Sequence, residues 1–394
     1  MLIITSSKRF SNLRNNRTRI AAVLACYFAL GYADIAGTVA NCVREEFGLG
    51  NFATSLVPAL FFLWYLILPL PVAGAMNRFG RVKVTIAALA ACSMGLAVPS
   101  FTHSGSAIMV SLGMIGIGVT GLMITLNPLI SSMVSAESTA SVFSLGQILK
   151  TLASILTPLL AAMGMRLSAG TEGWRLFFSV YLAITVALAV LVGFVPETRP
   201  DKSGRLGLKD CFTSGNSFVI WISFAAMFFA VGLDVEFTVA VPQIYMDRLG
   251  MGIDESVNFN SVYFVSRLLS TVAAVWLLRS RWARYCLPAC LVFMAVALLL
   301  TFTAPSGATL TAGVITMGLG IANICTIVIS DAFHFLPGRT NEISALMIMG
   351  LSGGAVLPAL AGTFPDGPEA VSFLAVTVLA VYFLAIRKTG VREQ

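Results

Sequence analysis

The chain has few charged residues and almost no histidine. Asp, Glu, Lys and Arg make up 11% of its 394 residues, and it has 2 histidines, whereas soluble domains are about 25% charged. The sequence contains neither an HExxH pair nor a nucleophile motif, so metal-dependent and acyl-transfer catalysis lack candidate residues. This composition excludes an ordinary soluble protein and argues against an enzyme. We expect no cofactor and no metal site.

Cysteines are present but are not spaced as ligands or as a disulfide framework. The 7 cysteines are scattered and none forms a CxxC pair, so small apolar packing residues are the expected role. The first residues also lack an apolar region with a small-residue cleavage site, and we predict no signal peptide.

Apolar residues dominate and are grouped. The chain is 57% hydrophobic, with a mean hydropathy of +0.89, and about 20 apolar residues are enough for one helix to span a bilayer. We therefore predict an all-α membrane protein with twelve transmembrane helices. The predicted spans are 20–43, 51–76, 82–100, 107–133, 138–164, 176–195, 216–240, 257–278, 285–303, 307–332, 343–363 and 367–386.

The second six spans repeat features of the first six. The stretch ending in Gly48 and Gly50 returns at Gly250 and Gly252, and Pro158 returns at Pro358, all at offsets of 200 to 202 residues. Such duplications are typical of secondary transporters. We predict two six-helix bundles related by a pseudo-twofold axis, at residues 1–195 and 216–394, with a cytoplasmic linker at 196–215.

Lys and Arg are distributed unevenly between the two sets of loops. If the N-terminus is cytoplasmic, 19 of the 25 basic residues lie in cytoplasmic segments and four in the opposite loops. This bias predicts a cytoplasmic (inner) membrane protein with both termini in the cytoplasm. The net charge of +7 then reflects topology and anionic lipid rather than a nucleic-acid partner. We expect a monomer.

A short basic loop between the second and third spans carries a family resemblance. Residues 77–83 read Asn-Arg-Phe-Gly-Arg-Val-Lys, which resembles the signature loop of the major facilitator superfamily. That family has Asp where this chain has Asn77, in a contact that locks neighbouring helices. Trp174-Arg175 before the sixth span and Pro196-Glu197-Thr198 after it are further, weaker resemblances.

A narrower resemblance covers most of the N-terminal half. It is similar to the fucose–galactose–glucose:proton symporter family, whose members are proton- or sodium-coupled monosaccharide permeases. Gly37, Met123 and Lys150 replace two acids and an amide of the family pattern. The matching stretches are 48–52, 61–62, 68–71, 126–128 and 144–147.

Ionisable residues inside spans are candidates for function, because they are costly in hydrocarbon. Apart from Lys83 and Glu369, which lie in the first turn of spans three and twelve, none lies in spans three, six, nine or twelve, which are peripheral in the facilitator fold that the chain resembles. Asp34 and Glu236 are 202 residues apart, and each is followed seven residues later by an amide, Asn41 or Gln243. We predict Asp34 or Glu236 as the proton-coupling acid and both amides as solute contacts. Asp34 lies one turn before Gly37 and so can replace the missing family acid. The alternative is that each acid only pairs with a basic neighbour.

Lys150 shares a helix face with Gln147 and Phe143. A cation, an amide and an aromatic ring on one face suit a hydroxylated or anionic solute, so Lys150 and Gln147 are predicted substrate-binding residues. An ion pair with Asp34, or a contact with lipid headgroups, is the alternative for Lys150.

Three further charges are predicted to be structural, and one amide to bind solute. Asp234 and Glu236 point to different faces of one helix, so one of them faces Arg267; we predict that Arg267 pairs with Asp234 or with Asp331. Asn127 precedes Pro128 in mid-span, where proline frees a carbonyl, and it is a predicted substrate contact.

These features predict a secondary active transporter, a proton-coupled symporter of a monosaccharide or similar small polar solute that works by alternating access. Sodium is the alternative coupling ion. The rival hypotheses are a carrier of a small organic anion that uses Lys150, and an efflux antiporter.

Overall fold

The structure is a computed structural model and describes residues 17–102, 104–134, 136–168, 171–197, 217–277, 282–303, 306–335, 340–364 and 366–388. Helices joined by short turns make up these residues, and no strand occurs among them. The prediction of an all-α protein is confirmed.

In the N-terminal half the helices follow the predicted apolar stretches, and two of the stretches are bent. The first bends by 45° at residues 34–35 and the second by 55° at residue 68. The helices are α1 (Arg17–Ala33), α2 (Ala36–Phe47), α3 (Asn51–Ile67), α4 (Pro69–Phe79), α5 (Arg81–Phe101), α6 (Gly105–Ser131), α7 (Ala136–Ser168) and α8 (Leu176–Gly193).

The helices of the C-terminal half also follow the predicted apolar stretches. The first of them is long and unbroken. Its helices are α9 (Ser217–Leu249), α10 (Asn258–Leu277), α11 (Ala283–Phe302), α12 (Gly307–Ile321), α13 (Ile324–Phe335), α14 (Thr340–Gly350), α15 (Gly353–Ala361) and α16 (Gly367–Lys388).

The helices are long and apolar enough for a multi-pass membrane protein. In the described part of the chain 9 helices qualify as spans, or up to 11 if each bent pair is one span. The 20-residue helix α10 is not among them, and its residues Asn258, Asn260 and Arg267 lower its hydropathy. The count of twelve spans stays a prediction.

Contacts divide the chain into two compact units. Unit 1 comprises Met1–Ala33, Leu68–Ala153 and Phe178–Ser203, and unit 2 comprises Asp34–Ile67, Ser154–Phe177 and Gly204–Gln394. Residues 198–215 of the predicted linker lie outside the described residues. The division into two six-helix bundles stays a prediction.

In unit 1 a proline and a serine fix the pairing of α5 with α6. Pro99 lies inside α5 and has no N–H for the carbonyl of Gly95, four residues earlier. The Ser111 hydroxyl of α6 donates to that carbonyl at 2.6 Å. The freed backbone acceptor therefore gains a partner from the neighbouring helix, as burial in a membrane requires.

The signature loop of unit 1 is held by a carboxylate from another segment. Gly80 adopts a φ of +97°, which favours glycine. Beyond it, the backbone N–H groups of Val82 and Lys83 donate to the Glu197 carboxylate at 2.9 and 3.1 Å. A negative charge at a helix N-terminus is stabilising. Asn77 itself is exposed, so in this chain Glu197 supplies the charged contact at the loop.

In unit 2 the same turn follows α2 and α9. Gly48 and Gly250 have φ values of +62° and +63°, and Gly50 and Gly252 each precede the next helix. These turns are related by the predicted offset of 202 residues.

A buried ion pair holds the end of α2 in unit 2. Arg175 pairs with Glu46, and the side chains are only 8% and 9% exposed. The indole N–H of Trp174 donates to the other carboxylate oxygen at 2.8 Å. Both oxygens of Glu46 are therefore bound by residues of the turn that precedes α8.

Removing the charge of Glu46 should destabilise the protein. Glu46→Gln removes the close counter-ion of the buried Arg175 guanidinium and leaves it only the exposed Glu172 carboxylate at 3.9 Å. The cost should therefore approach that of breaking a buried ion pair, about 3–5 kcal/mol. We expect a clear fall in Tm of the purified protein in detergent. Glu45→Gln is the matched control, because Glu45 is adjacent and exposed. Equal Tm values for the two variants would contradict a stabilising role for the pair.

Candidate functional site

Asn260 of α10 joins helices α2 and α9 in unit 2. Pro242 lies inside α9 and so cannot donate to the carbonyl of Thr238, four residues earlier. The Asn260 side-chain amide donates to that carbonyl at 3.0 Å and to the Thr38 hydroxyl at 3.3 Å. Asn260 is 1% exposed. Its amide thus replaces a helical hydrogen bond that proline removes.

Asn41 makes a second link at the same crossing. Its side-chain amide donates to the carbonyls of Gly37 at 2.9 Å and Val239 at 3.0 Å. A Cβ added at Gly37 would meet Thr238, so the two helices approach closely there. Asn41 is fully buried. The predicted solute contact is therefore a helix-to-helix contact in this conformation.

About one turn earlier on α9, an ion pair joins this helix to α10. Arg267 contacts the Asp234 carboxylate at 2.8 and 3.1 Å. The Tyr263 hydroxyl donates to the same carboxylate. Of the two partners predicted for Arg267, the described contact is with Asp234. Asp331 instead accepts a hydrogen bond from Tyr382 at 3.0 Å.

Asp34 lies at the break between α1 and α2. Its carboxylate accepts a hydrogen bond from the Ser154 hydroxyl of α7 at 2.7 Å. It also acts electrostatically on Arg267 and on Tyr263. Asp34 and Asp234 are both half-buried. Unit 2 thus brings two aspartates within the electrostatic range of one arginine.

The two aspartates are equivalent positions of the internal repeat. Residues 34–40 read Asp-Ile-Ala-Gly-Thr-Val-Ala and residues 234–240 read Asp-Val-Glu-Phe-Thr-Val-Ala, with the same succession of buried and half-buried residues. This match at an offset of 200 pairs Asp34 with Asp234. An offset of 202 would pair Asp34 with Glu236. That offset holds at the turns of Gly48 and Gly250 but not at residues 34–40. The signal was therefore in the sequence.

Glu236 is the more buried of the predicted coupling acids. It is 2% exposed, and its Oε2 accepts no hydrogen bond within the described residues. An ionised carboxylate without a partner is costly to bury. Gln243, the amide paired with it by sequence, is half-buried.

The remaining predicted contacts lie in unit 1. Lys150 is half-buried and Gln147 is exposed on α7. Asn127 is half-buried on α6, where its Oδ1 accepts a hydrogen bond from Tyr27 at 2.6 Å. Lys150 and Gln147 keep the spacing that placed them on one face.

In the described part of the chain, no group of three or more His, Cys, Asp or Glu side chains is placed to hold a metal ion.

Comparison with known proteins agrees with a membrane carrier. The family model of the Major Facilitator Superfamily matches residues 21–359. A glucose/galactose transporter of Brucella abortus is 21% identical over 345 residues, which is 82% of each chain. These relatives are transporters and not enzymes.

Solved structures share the fold. The nucleoside transporter NupG has a TM-score of 0.73 at 12% identity, and the alignment covers 94% of this chain and 99% of that one. The Escherichia coli fucose:proton symporter FucP has a TM-score of 0.62 at 16% identity, with 93% and 98% covered. A bacterial homologue of the lysosomal transporter Spinster has 0.69 at 17%, with 94% and 97% covered.

Many apolar helices with charges buried among them, in a chain matched by transporters, define a multi-pass membrane transporter. The chain belongs to the Major Facilitator Superfamily. The predicted resemblance to sugar symporters is supported by the glucose/galactose transporter and by the fold of FucP.

Asn260 and Pro242 should be energetically coupled. Asn260→Ala leaves the Thr238 carbonyl without a donor, at a cost of about 1–3 kcal/mol. In a Pro242→Ala background residue 242 regains an N–H, and the same substitution should lower Tm less. The loss of Tm that remains in this background reflects the hydrogen bond from Asn260 to the Thr38 hydroxyl.

Asn258→Ala is the control, because within the described residues the Asn258 amide donates locally, to the Asp254 carbonyl one turn earlier. Equal losses in both backgrounds would show that proline is irrelevant to Asn260.

Proposed function

We propose that the chain is a proton-coupled symporter of a monosaccharide or a similar small polar solute, and that it works by alternating access. It acts in the inner membrane as a monomer with both termini in the cytoplasm. Sodium is the alternative coupling ion.

The observation that carries the proposal is the group formed by Asp34, Asp234 and Arg267 among the apolar helices of unit 2. A charge at the bilayer centre costs at least about 2.5–3.5 kcal/mol, and residues that tolerate this cost are usually functional. Protonation of a carboxylate changes the charge of such a group, which links solute movement to a proton. The names of a sugar-transporting relative and of a fucose:proton symporter with this fold support the solute class and the ion.

Solute contacts are assigned to predicted site residues that are exposed or half-buried. We assign them to Lys150, Gln147, Asn127 and Gln243. Asn41 has its amide hydrogens on two backbone carbonyls, so it reaches solute only when the contact between α2 and α9 has opened. Asp34 or Glu236 takes the coupling proton.

Contacts within unit 2 form a closed layer that alternating access must open. Asn41 and Asn260 join α2 to α9 and α10, and the Ser261 hydroxyl of α10 donates to the Ile155 carbonyl of α7 at 3.0 Å. Further along α7, Arg166 pairs with Asp254 at 3.1 Å, with side chains 60% and 35% exposed. With a cytoplasmic N-terminus, this layer closes the outer side.

Substitutions of Lys150 distinguish a sugar carrier from a carrier of organic anions. In cells expressing the protein, we expect Lys150→Ala to reduce uptake of radiolabelled D-glucose, D-galactose or L-fucose by roughly 10-fold or more, as expected for a lost charged hydrogen bond. Lys150→Gln should retain uptake, because an amide still donates to hydroxyls.

The control is Lys83→Gln, because Lys83 is exposed at a helix end. Full sugar uptake by Lys150→Ala at equal expression would contradict the assigned contact. Organic-anion uptake that is lost in Lys150→Gln would establish the rival carrier.

Neutralising the coupling acid should uncouple transport from protons. Of Asp34→Asn and Glu236→Gln, at least one should abolish accumulation of these sugars while equilibrium exchange continues, since exchange needs no net proton release. Asp247→Asn on α9 is the control, because Asp247 is exposed. Wild-type accumulation that resists both a proton ionophore and sodium removal would refute ion coupling.

A further inference from the structure

One face of α10 carries the polar side chains that reach α2 and α9. Asn260, Tyr263 and Arg267 are spaced i, i+3 and i+7, so they lie along one stripe over two helical turns. Asn260 donates to a threonine of each repeat, the Thr38 hydroxyl and the Thr238 carbonyl. The stripe therefore contacts both repeats at its first position.

An aspartate precedes each of the two threonines that Asn260 contacts. Asp234 precedes Thr238 by four residues within α9, which is about one turn, and Asp34 precedes Thr38 by four residues across the break before α2. Arg267 follows Asn260 by two turns, and helical side chains tilt back toward the N-terminus of their helix. Its guanidinium thus comes to the level of the Asp234 carboxylate, which it contacts.

The environment of Arg267 includes both repeats. Asp234 contacts it directly, and the Asp34 carboxylate also acts on it electrostatically. Ser154, which donates to Asp34, is followed by Ile155, whose carbonyl accepts from Ser261 of the same α10. Helix α10 therefore packs beside the residue that positions Asp34.

We infer that Arg267 is a shared counter-ion of two repeat-equivalent aspartates, held on Asp234 in this conformation and able to neutralise Asp34 in its place. Arg267 keeps its proton throughout. The exchange gives a route by which protonation of one repeat changes the ion pair of the other, and in this respect the inference rests on the proposed function.

The test is the stability of four purified proteins: wild type, Asp34→Asn, Asp234→Asn and the double variant. In either single variant the remaining aspartate still neutralises Arg267, so each Tm falls modestly. In the double variant the guanidinium has lost both carboxylates. The loss of Tm in the double variant should exceed the sum of the two single losses by on the order of 5 °C.

Glu236 supplies the matched control. It lies two residues from Asp234 on α9, and residues two apart point to different faces of a helix, so Glu236 does not share the face that contacts Arg267. Losses in Asp234→Asn and Glu236→Gln should therefore add. Additive losses in the Asp34 and Asp234 pair would assign the charge of Asp34 to another cation, such as its predicted partner Lys150, and would overturn the inference.

A double variant that does not fold is resolved by a third change. Adding Arg267→Gln removes the unpaired charge and should restore a folded protein with a measurable Tm. If the triple variant also fails to fold, the loss does not come from Arg267 and the inference is wrong. Because Tm needs no solute, a failed sugar assay with non-additive Tm values would reject only the proposed substrate.

Discussion

Helices in a membrane must satisfy each backbone polar group within the protein, because hydrocarbon offers no water. Two prolines make this requirement visible. Pro99 and Pro242 each free a carbonyl, and in each case a side chain of a neighbouring helix donates to it, Ser111 to Gly95 and Asn260 to Thr238. Helix positions are therefore fixed by hydrogen bonds that the backbone itself cannot make.

The same requirement explains where the charges lie. Arg175 is held by Glu46 and Arg267 by Asp234, so each of these buried cations has a carboxylate. The first pair is nearly sealed from solvent and fixes one end of α2. The first pair has a further carboxylate, Glu172, at 3.9 Å, but it is exposed. The second pair has the half-buried Asp34 within electrostatic range, and a proton on Asp34 would alter the charge of that group. Of the two arrangements, the second suits a coupling role.

The sequence predicted the helical fold and the apolar spans well, because span length and the Gly48 and Gly250 turns are local signals. It predicted the site less well. Counting at an offset of 202 joined Asp34 to Glu236, whereas the residues between Ala40 and Gly48 are two fewer than those between Ala240 and Gly250. The contacts of Asn41 and Asn260 depend on how three helices cross, and no periodicity in a single helix encodes that crossing.

The polar residues of the predicted site differ in what their side chains contact. Asn41 and Asn260 use their donors to hold helices together, while Gln147 is exposed and Lys150 half-buried on α7. The aspartates lie where the two repeats match most closely. A carrier built this way can exchange one set of helix contacts for another as its solute crosses.

The most direct test of ion coupling is proton movement in proteoliposomes that contain only this protein. If the chain is a proton symporter, addition of D-glucose, D-galactose or L-fucose outside the vesicles should make the weakly buffered outer medium more alkaline, as protons enter with the sugar. Labelled sugar that enters without any change in external pH, with sodium present or absent, would contradict proton coupling.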